Sequence, residues 1–466
     1  MRYLSTRGGV EPVGFAEAVM MGLGTDGGLL VPEHIPRLSE DTLVAWSRLS
    51  FQALAVEVLA PFVGEAMPRA DLVALVEHSY GRFSHPEVTP VVEQAGRPWL
   101  ELFHGPTAAF KDVALQLLGN LFEYFIARER GVLRILGATS GDTGSAAIDG
   151  VRGKAGIEIF ILHPKGRVSP IQERQMTTVL DANVHNIAVE GTFDDTQRIV
   201  KALFNDLAFK RDYRLGAVNS INLARILAQT IYYFYAWGRL SGGDPAHRVS
   251  FSVPTGNFGD VFAGWLAKRM GLPIDRLIIA TNRNDILSRF VASGVYRAGE
   301  VYHTLSPAMD IQLASNFERY LYYLLDQDPA AVRALLAEME QTGQLQVDGE
   351  RQRRVAEDFD ARAVSDAETL AEIRRVYQAG GYLLCPHTAV GARAAADHPD
   401  AVVLATAHPA KFETAVVEAI GIEPAPPPPL RGLLERETRC VELPAEAEAV
   451  SRFMRETLDT SAREHP

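Results

Sequence analysis

The sequence predicts an α/β protein with largely parallel sheets flanked by helices, preceded by a helical N-terminal domain. Two observations predict it. From about residue 96 to 420 short β-type runs alternate with amphipathic stretches, and glycine-rich loops directly follow two of those runs, where an open parallel sheet places its ligands. Composition agrees: of 466 residues, 47% are hydrophobic and 22% charged, the balance of a globular chain with a large core.

In chain order, residues 1–95 form the helical domain. It opens with the glycine-rich run Gly22-Leu23-Gly24-Thr25-Asp26-Gly27-Gly28 and continues into helical patterns at Thr42 to Val63 and Asp71 to Tyr80. Residues 96–420 form the α/β region in two lobes, the smaller at about 133–215. Its expected strands are Leu133 to Leu136, Ile157 to Leu162, Val184 to Val189, Val249 to Val253, Leu277 to Ala280, Tyr382 to Leu384 and Ala401 to Ala405. Between about 284 and 378 helices dominate, as at Asn316 to Gln327, Pro329 to Gln341 and Asp366 to Gln378. Residues 421–466 read as a stiff linker around Pro426-Pro427-Pro428-Pro429 and a short tail, because successive prolines cannot continue a helix.

Charge and cysteine usage exclude several functions. Lys and Arg number 46 against 58 Asp and Glu, a formal charge of −12 with no basic block, so no nucleic-acid partner is expected. Cys385 and Cys440 form no CxxC pair, which fits a reducing compartment, and no apolar run suits a signal peptide or a membrane span. A cytoplasmic protein without membrane contact is expected. The histidines show no HxxxH or HExxH spacing, so no metal is expected.

The run Phe103-His104-Gly105-Pro106-Thr107-Ala108-Ala109-Phe110-Lys111-Asp112 sets a lysine among small and apolar residues. Burial disfavours the ammonium form, so such an amine is nucleophilic near neutral pH and suited to condensing with an aldehyde. The alternative is a lysine whose stem covers apolar surface while its head reaches water.

Two loops offer anion sites. After Leu133 to Leu136, Gly137-Ala138-Thr139-Ser140-Gly141-Asp142-Thr143-Gly144 combines backbone that can approach an anion with hydroxyl donors and a helix start; the alternative is a plain capped turn. After Val249 to Val253, Pro254-Thr255-Gly256-Asn257-Phe258-Gly259-Asp260 sets two glycines three apart at a helix start, so that several N–H groups converge on one phosphate. It has neither the Gly-Lys-Ser/Thr of a Walker A loop nor GxGxxG spacing.

Together the lysine run and these two loops resemble the signatures of threonine synthase. So do Phe15-Ala16-Glu17-Ala18, Val218-Asn219-Ser220-Ile221-Asn222, Leu305-Ser306-Pro307-Ala308-Met309-Asp310 and Ala405-Thr406-Ala407-His408-Pro409-Ala410-Lys411-Phe412, which are similar to the bacterial and fungal long branch. The likeness runs to about residue 420. It implies the PLP-dependent fold type II, of the tryptophan synthase β type, with pyridoxal 5′-phosphate as cofactor. On that likeness Lys111 carries the cofactor and moves protons; Gly256, Asn257, Phe258 and Gly259 hold its phosphate, supported by Asp260; and Thr406 meets the pyridine nitrogen, unless it only caps the following helix. The reaction implied is O-phospho-L-homoserine and water to L-threonine and phosphate.

Thr139, Ser140, Gly141, Asp142 and Thr143 are expected at the substrate carboxylate and the hydroxyl side of the cofactor, with Asp142 the member that instead orients the loop if its charge is repelled. Arg167, Ser169, Asn219, Ser220, Asn222 and Arg225 are the polar residues expected for the substrate phosphate; each alone reads equally as a surface arginine or a cap. Two other readings stay open: a hydroxyamino-acid dehydratase of the same fold, and a non-catalytic metabolite-binding relative. A monomer or homodimer is expected.

Overall fold

The computed structural model describes residues 1–464 and divides into two units, Met1–Leu117 with Ser220–Pro427, and Leu118–Asn219 with Pro428–Pro466. In the first unit a six-stranded sheet runs in the order Phe359–Ala363, Ile274–Thr281, Val249–Pro254, Val402–Ala405, Arg97–Glu101, Val91–Gln94. All neighbours are parallel except the last pair. Buried on both faces, its central strands are near-continuous apolar runs such as Val402-Val403-Leu404-Ala405. The chain therefore has the fold type II architecture, parallel sheets flanked by helices.

The second unit holds a wholly parallel sheet ordered Val441–Pro444, Val184–Glu190, Ile157–Pro164, Leu133–Ala138, Leu215–Gly216. Its core gathers Leu136, Phe160, Ile187, Ile199 and Leu203 with Val450, Met454 and Leu458 from the last helix, Ala447–Glu464.

The two units group the expected segments 1–95, 96–420 and 421–466 differently. The helical preface joins the first unit because the Phe51 ring packs against Tyr235 and Arg7 pairs with Glu318 at 2.9 Å. The lobe expected at about 133–215 starts earlier, at Leu118, and the presumed tail completes that lobe's sheet rather than trailing from it. Apolar residues at 450, 454 and 458 repeat at helical spacing, and burying them fixes the segment.

The helical pattern Thr42 to Val63 is two helices, Glu40–Trp46 and Phe51–Val63, because the Ser50 hydroxyl accepts from Ala53 N and starts a new one. Tyr382 to Leu384 joins no ladder; it is irregular backbone leading into the helix Pro386–Ala394, with the Tyr382 hydroxyl donating to Glu101. The strand Phe359–Ala363 lies inside the stretch read as helical.

Candidate active site

In the first unit the lysine segment is bound to the end of the strand Val402–Ala405. Phe110 N donates to Thr406 O at 2.8 Å, His408 N to Ala108 O at 3.0 Å, and Ala109 bridges Ala407. Between these anchors Ala108 takes φ +56°, a strained conformation for a residue with a Cβ, and it persists because both flanks are fixed. Thr107 donates through N and Oγ1 to the Asp112 carboxylate, and the buried Lys411 ammonium donates to Thr107 O at 2.8 Å. A Cβ on Gly105 would lie 2.4 Å from Asp112 Cβ, so only glycine lets this turn close. Lys111 emerges as the first residue of the helix Lys111–Glu129 and is 8% exposed.

Beside it, Thr406 is buried, and its Oγ1 has no hydrogen-bond partner among the described residues. Its backbone is fully engaged: Thr406 N donates to Thr388 Oγ1 and its carbonyl accepts from Phe110. A buried hydroxyl left open costs free energy unless a ligand completes it.

The loop Pro254–Asp260 turns at Phe258, which holds φ +63° and precedes the helix Gly259–Met270. Phe258 is locked there by the rings of Phe317, Tyr320 and Phe359. The left-handed turn before a helix start aims successive N–H groups at one point, an anion nest. Gly256 is needed for space rather than for positive φ, and Gly259 is close-packed without positive φ. A Cβ on Gly256 would sit 2.6 Å from Ala308 O, whereas one on Gly259 would meet Asn316 Nδ2 at 3.3 Å. Asn316 also fixes the loop by donating twice to Asn257 O.

Asp260 Oδ1 accepts from the hydroxyls of both Tyr232 and Tyr233, and Oδ2 has no partner among the described residues. Burial pushes its carboxyl up to about 6, against the lowering effect of the two tyrosines.

Arg225 sits in the first turn of the helix Leu223–Ser241, one residue before Ile226, whose side chain lies 3.6 Å from where a Gly259 Cβ would be. It is 4% exposed, and its Nε and Nη1 have no partner among the described residues. Desolvation pulls it down to about 10. Asn222 caps this helix through Ala224 N and donates to Val19 O, while Ser220 shares a hydrogen bond with Ser315; their polar groups are used structurally.

The second unit carries the other expected residues. Thr139 Oγ1 accepts from both Gly141 N and Gly144 N, folding the loop on itself at the start of the helix Asp142–Val151. Gly141 takes φ +141° and a Cβ there would strike Gln172 at 2.6 Å. Asp142 accepts from Gln172 Nε2 at 2.8 Å, so the carboxylate orients the loop, while Ser140 is exposed and Thr143 half-buried. Ser169 caps the helix Pro170–Thr177 through Gln172. Arg167 is exposed and Asn219 half-buried. Sequence reasoning missed Gln172, Tyr232, Tyr233 and Thr388; only Thr388 left a signal, three residues into a helix opened by Cys385-Pro386.

Pyridoxal phosphate requires an amine, a phosphate cradle and a partner for its ring nitrogen. The first unit provides Lys111, the space-limited Gly256–Gly259 nest and the open Thr406 hydroxyl, so its residues fit the group.

Comparison with known proteins agrees. A family model described as pyridoxal-phosphate dependent enzyme matches residues 99–407, one described as threonine synthase N terminus matches 2–80, and one described as threonine synthase, C-terminal, matches 388–454. The chain is 50% identical over 461 residues to the threonine synthase of Pseudomonas aeruginosa, covering 97% of this chain and 98% of that one. It is 48% identical over 456 residues to that of Saccharomyces cerevisiae, covering 90% and 89%. The crystal structure of PLP-bound threonine synthase from Brucella melitensis superposes with a TM-score of 0.95 at 47% identity, covering 98% of this chain and 99% of that one. The chain belongs to the threonine synthase family of pyridoxal-phosphate-dependent enzymes.

Proposed function

We propose that the chain converts O-phospho-L-homoserine and water to L-threonine and inorganic phosphate. When bound, pyridoxal 5′-phosphate supplies the electron sink that makes the Cα and Cβ protons of the substrate removable. Lys111 holds the cofactor; its amine, once freed by substrate, takes and returns protons at these carbons. Gly256, Asn257, Phe258 and Gly259 hold the cofactor phosphate, Asp260 stiffens their helix start, and Thr406 faces the ring nitrogen with a neutral hydroxyl. In the second unit Thr139 and Asp142 shape the loop from which Ser140, Gly141 and Thr143 offer N–H and hydroxyl donors to the substrate carboxylate.

The single observation carrying the substrate choice is Arg225. A guanidinium this buried, with two nitrogens open, needs an anion beyond those the fold provides, and a phosphate accepts its fork. A hydroxyamino-acid dehydratase has no substrate phosphate to place there. Ser220 and Asn222, whose polar groups are engaged within the fold, build the turn before the Arg225 helix, whereas Arg167 and Ser169 belong to the surface and a helix cap of the second unit.

The test is phosphate release and threonine formation from O-phosphohomoserine by the purified protein. Ammonia from serine without phosphate release favours the dehydratase; no turnover of either, with cofactor bound at Lys111 by mass after borohydride reduction, favours the non-catalytic relative. Cytoplasmic residence completes the proposal, supported by Cys385 and Cys440, neither of which forms a disulfide. A monomeric or homodimeric state is checked by light scattering.

A further inference from the structure

Behind the open hydroxyl of Thr406 lies a buried pair that the reaction scheme leaves unused. Cys385 precedes the helix Pro386–Ala394, and its Sγ accepts from Thr388 N at 3.4 Å and lies 3.1 Å from Thr388 Oγ1. Thr388 Oγ1 in turn accepts from Thr406 N at 3.2 Å. Cys385 also packs with Ala109 and Ala407, the two residues that bridge the lysine segment to the strand end. Thr406 is therefore held at both of its backbone groups: its N–H by a side chain of this helix, its carbonyl by the residue before Lys111. Only its hydroxyl remains open.

We propose that Thr388, braced by Cys385, is a positioning residue that aims the Thr406 hydroxyl at the cofactor ring and fixes its register against Lys111. Threonine suits the task because its β-branched side chain is stiff at χ1, so an acceptor oxygen bound to sulfur on one side presents a fixed target to Thr406 N. The same contact made by a flexible side chain would let the strand end rotate. Thr388 touches neither substrate nor cofactor; it acts through Thr406. The inference rests on the reading that Thr406 meets the ring nitrogen.

Four variants separate the possibilities: Thr388→Val, which keeps the shape and removes the acceptor; Thr388→Ser, which restores it; Cys385→Ala, which removes the brace and leaves the Thr388 acceptor; and Thr406→Val, which removes the hydroxyl itself. Each is purified with cofactor, and its visible absorbance maximum, cofactor affinity, melting temperature, kcat and KM are measured. Thr388→Val is expected to move the absorbance maximum in the same direction as Thr406→Val and to lower kcat about tenfold with KM unchanged, the loss of one aligned contact at the reacting centre. Thr388→Ser, which keeps the acceptor but gives up the β-branch, is expected to recover most but not all of both readouts, and Cys385→Ala to give a smaller shift of the same sign.

A Thr388→Val protein with the parent spectrum and kcat, or with only a lower melting temperature, overturns the proposal while leaving the Thr406 reading intact. If Thr388→Val does not fold, a parent-like spectrum in Cys385→Ala overturns it instead. A parent-like spectrum in Thr406→Val removes the ring-nitrogen reading and the proposal with it.

Discussion

The two loops expected to receive ligands are built on opposite plans. In the first unit side-chain atoms are left open: Thr406 Oγ1, Asp260 Oδ2, and Nε and Nη1 of Arg225, each in a residue under 7% exposed, while the surrounding backbone is tied down. In the second unit the loop consumes its own side chains, Thr139 on two backbone N–H groups and Asp142 on Gln172. On the proposed roles, the cofactor and the substrate's phosphate meet side-chain atoms held open in advance, whereas the substrate's carboxylate meets main-chain donors shaped by the loop, with Ser140 at the surface.

The contrast is broken or sharpened by substitution. Lys111→Ala should have the largest effect, a fall in turnover of about a thousandfold or more, with cofactor still bound noncovalently through the phosphate nest. Equilibrium dialysis with absorbance reads both; turnover within tenfold of the parent would remove Lys111 from the chemistry.

Asp260 comes next. Its folded pKa of about 6 lies above the ordinary carboxyl value, so its contribution to stability is complete below the unfolded pKa and is lost as pH rises through about 6. Relative to Asp260→Asn, the parent should lose on the order of 3 kcal/mol between about pH 4 and 7. Parallel denaturation curves for the two proteins over that range would show that burial does not disfavour this charge.

Arg225→Ala should lower kcat/KM for O-phosphohomoserine about a hundredfold with an unchanged cofactor spectrum, whereas the exposed Arg167→Ala should stay near the parent. The reverse pattern would move the phosphate site to the second unit. Gly256→Val should weaken cofactor binding about tenfold or more, while Gly259→Ala, with 3.3 Å of room, should weaken it less. Titration of the apoprotein with cofactor orders the two. Thr139→Val should have the smallest effect, raising KM severalfold at unchanged kcat, since it loosens a loop whose donors are main-chain groups.

What the sequence made legible follows from where the physics is local. Gly256 and Gly259 at a helix start, or Gly141 before one, announce themselves because close approach and turn geometry restrict single positions. Six of the parallel strands were legible as apolar runs; Arg97–Glu101, Leu215–Gly216 and Val441–Pro444 were not. Nor was Phe359–Ala363, because Phe-Asp-Ala-Arg-Ala carries one apolar anchor and gains its strand form only by pairing with Leu277 to Thr281. Tyr382 to Leu384 has the opposite history: β-type residues with no neighbour to pair. Which polar side chains stay open is the least legible property. Asn222 and Arg225 stand three residues apart, yet one caps a helix and the other has unpaired nitrogens, a difference set by tertiary surroundings alone.

The strand Val441–Pro444 gives the second unit a peculiarity of timing. It forms the outer edge beside Val184–Glu190, although more than two hundred residues separate them in the chain. During synthesis the segment from Leu118 to Asn219 leaves the ribosome long before this partner exists. Until then the Val184–Glu190 strand presents an unpaired edge able to recruit strands from other nascent chains. That edge is sealed only once the chain has been made through Pro444, which exposes chains terminated before this strand to aggregation.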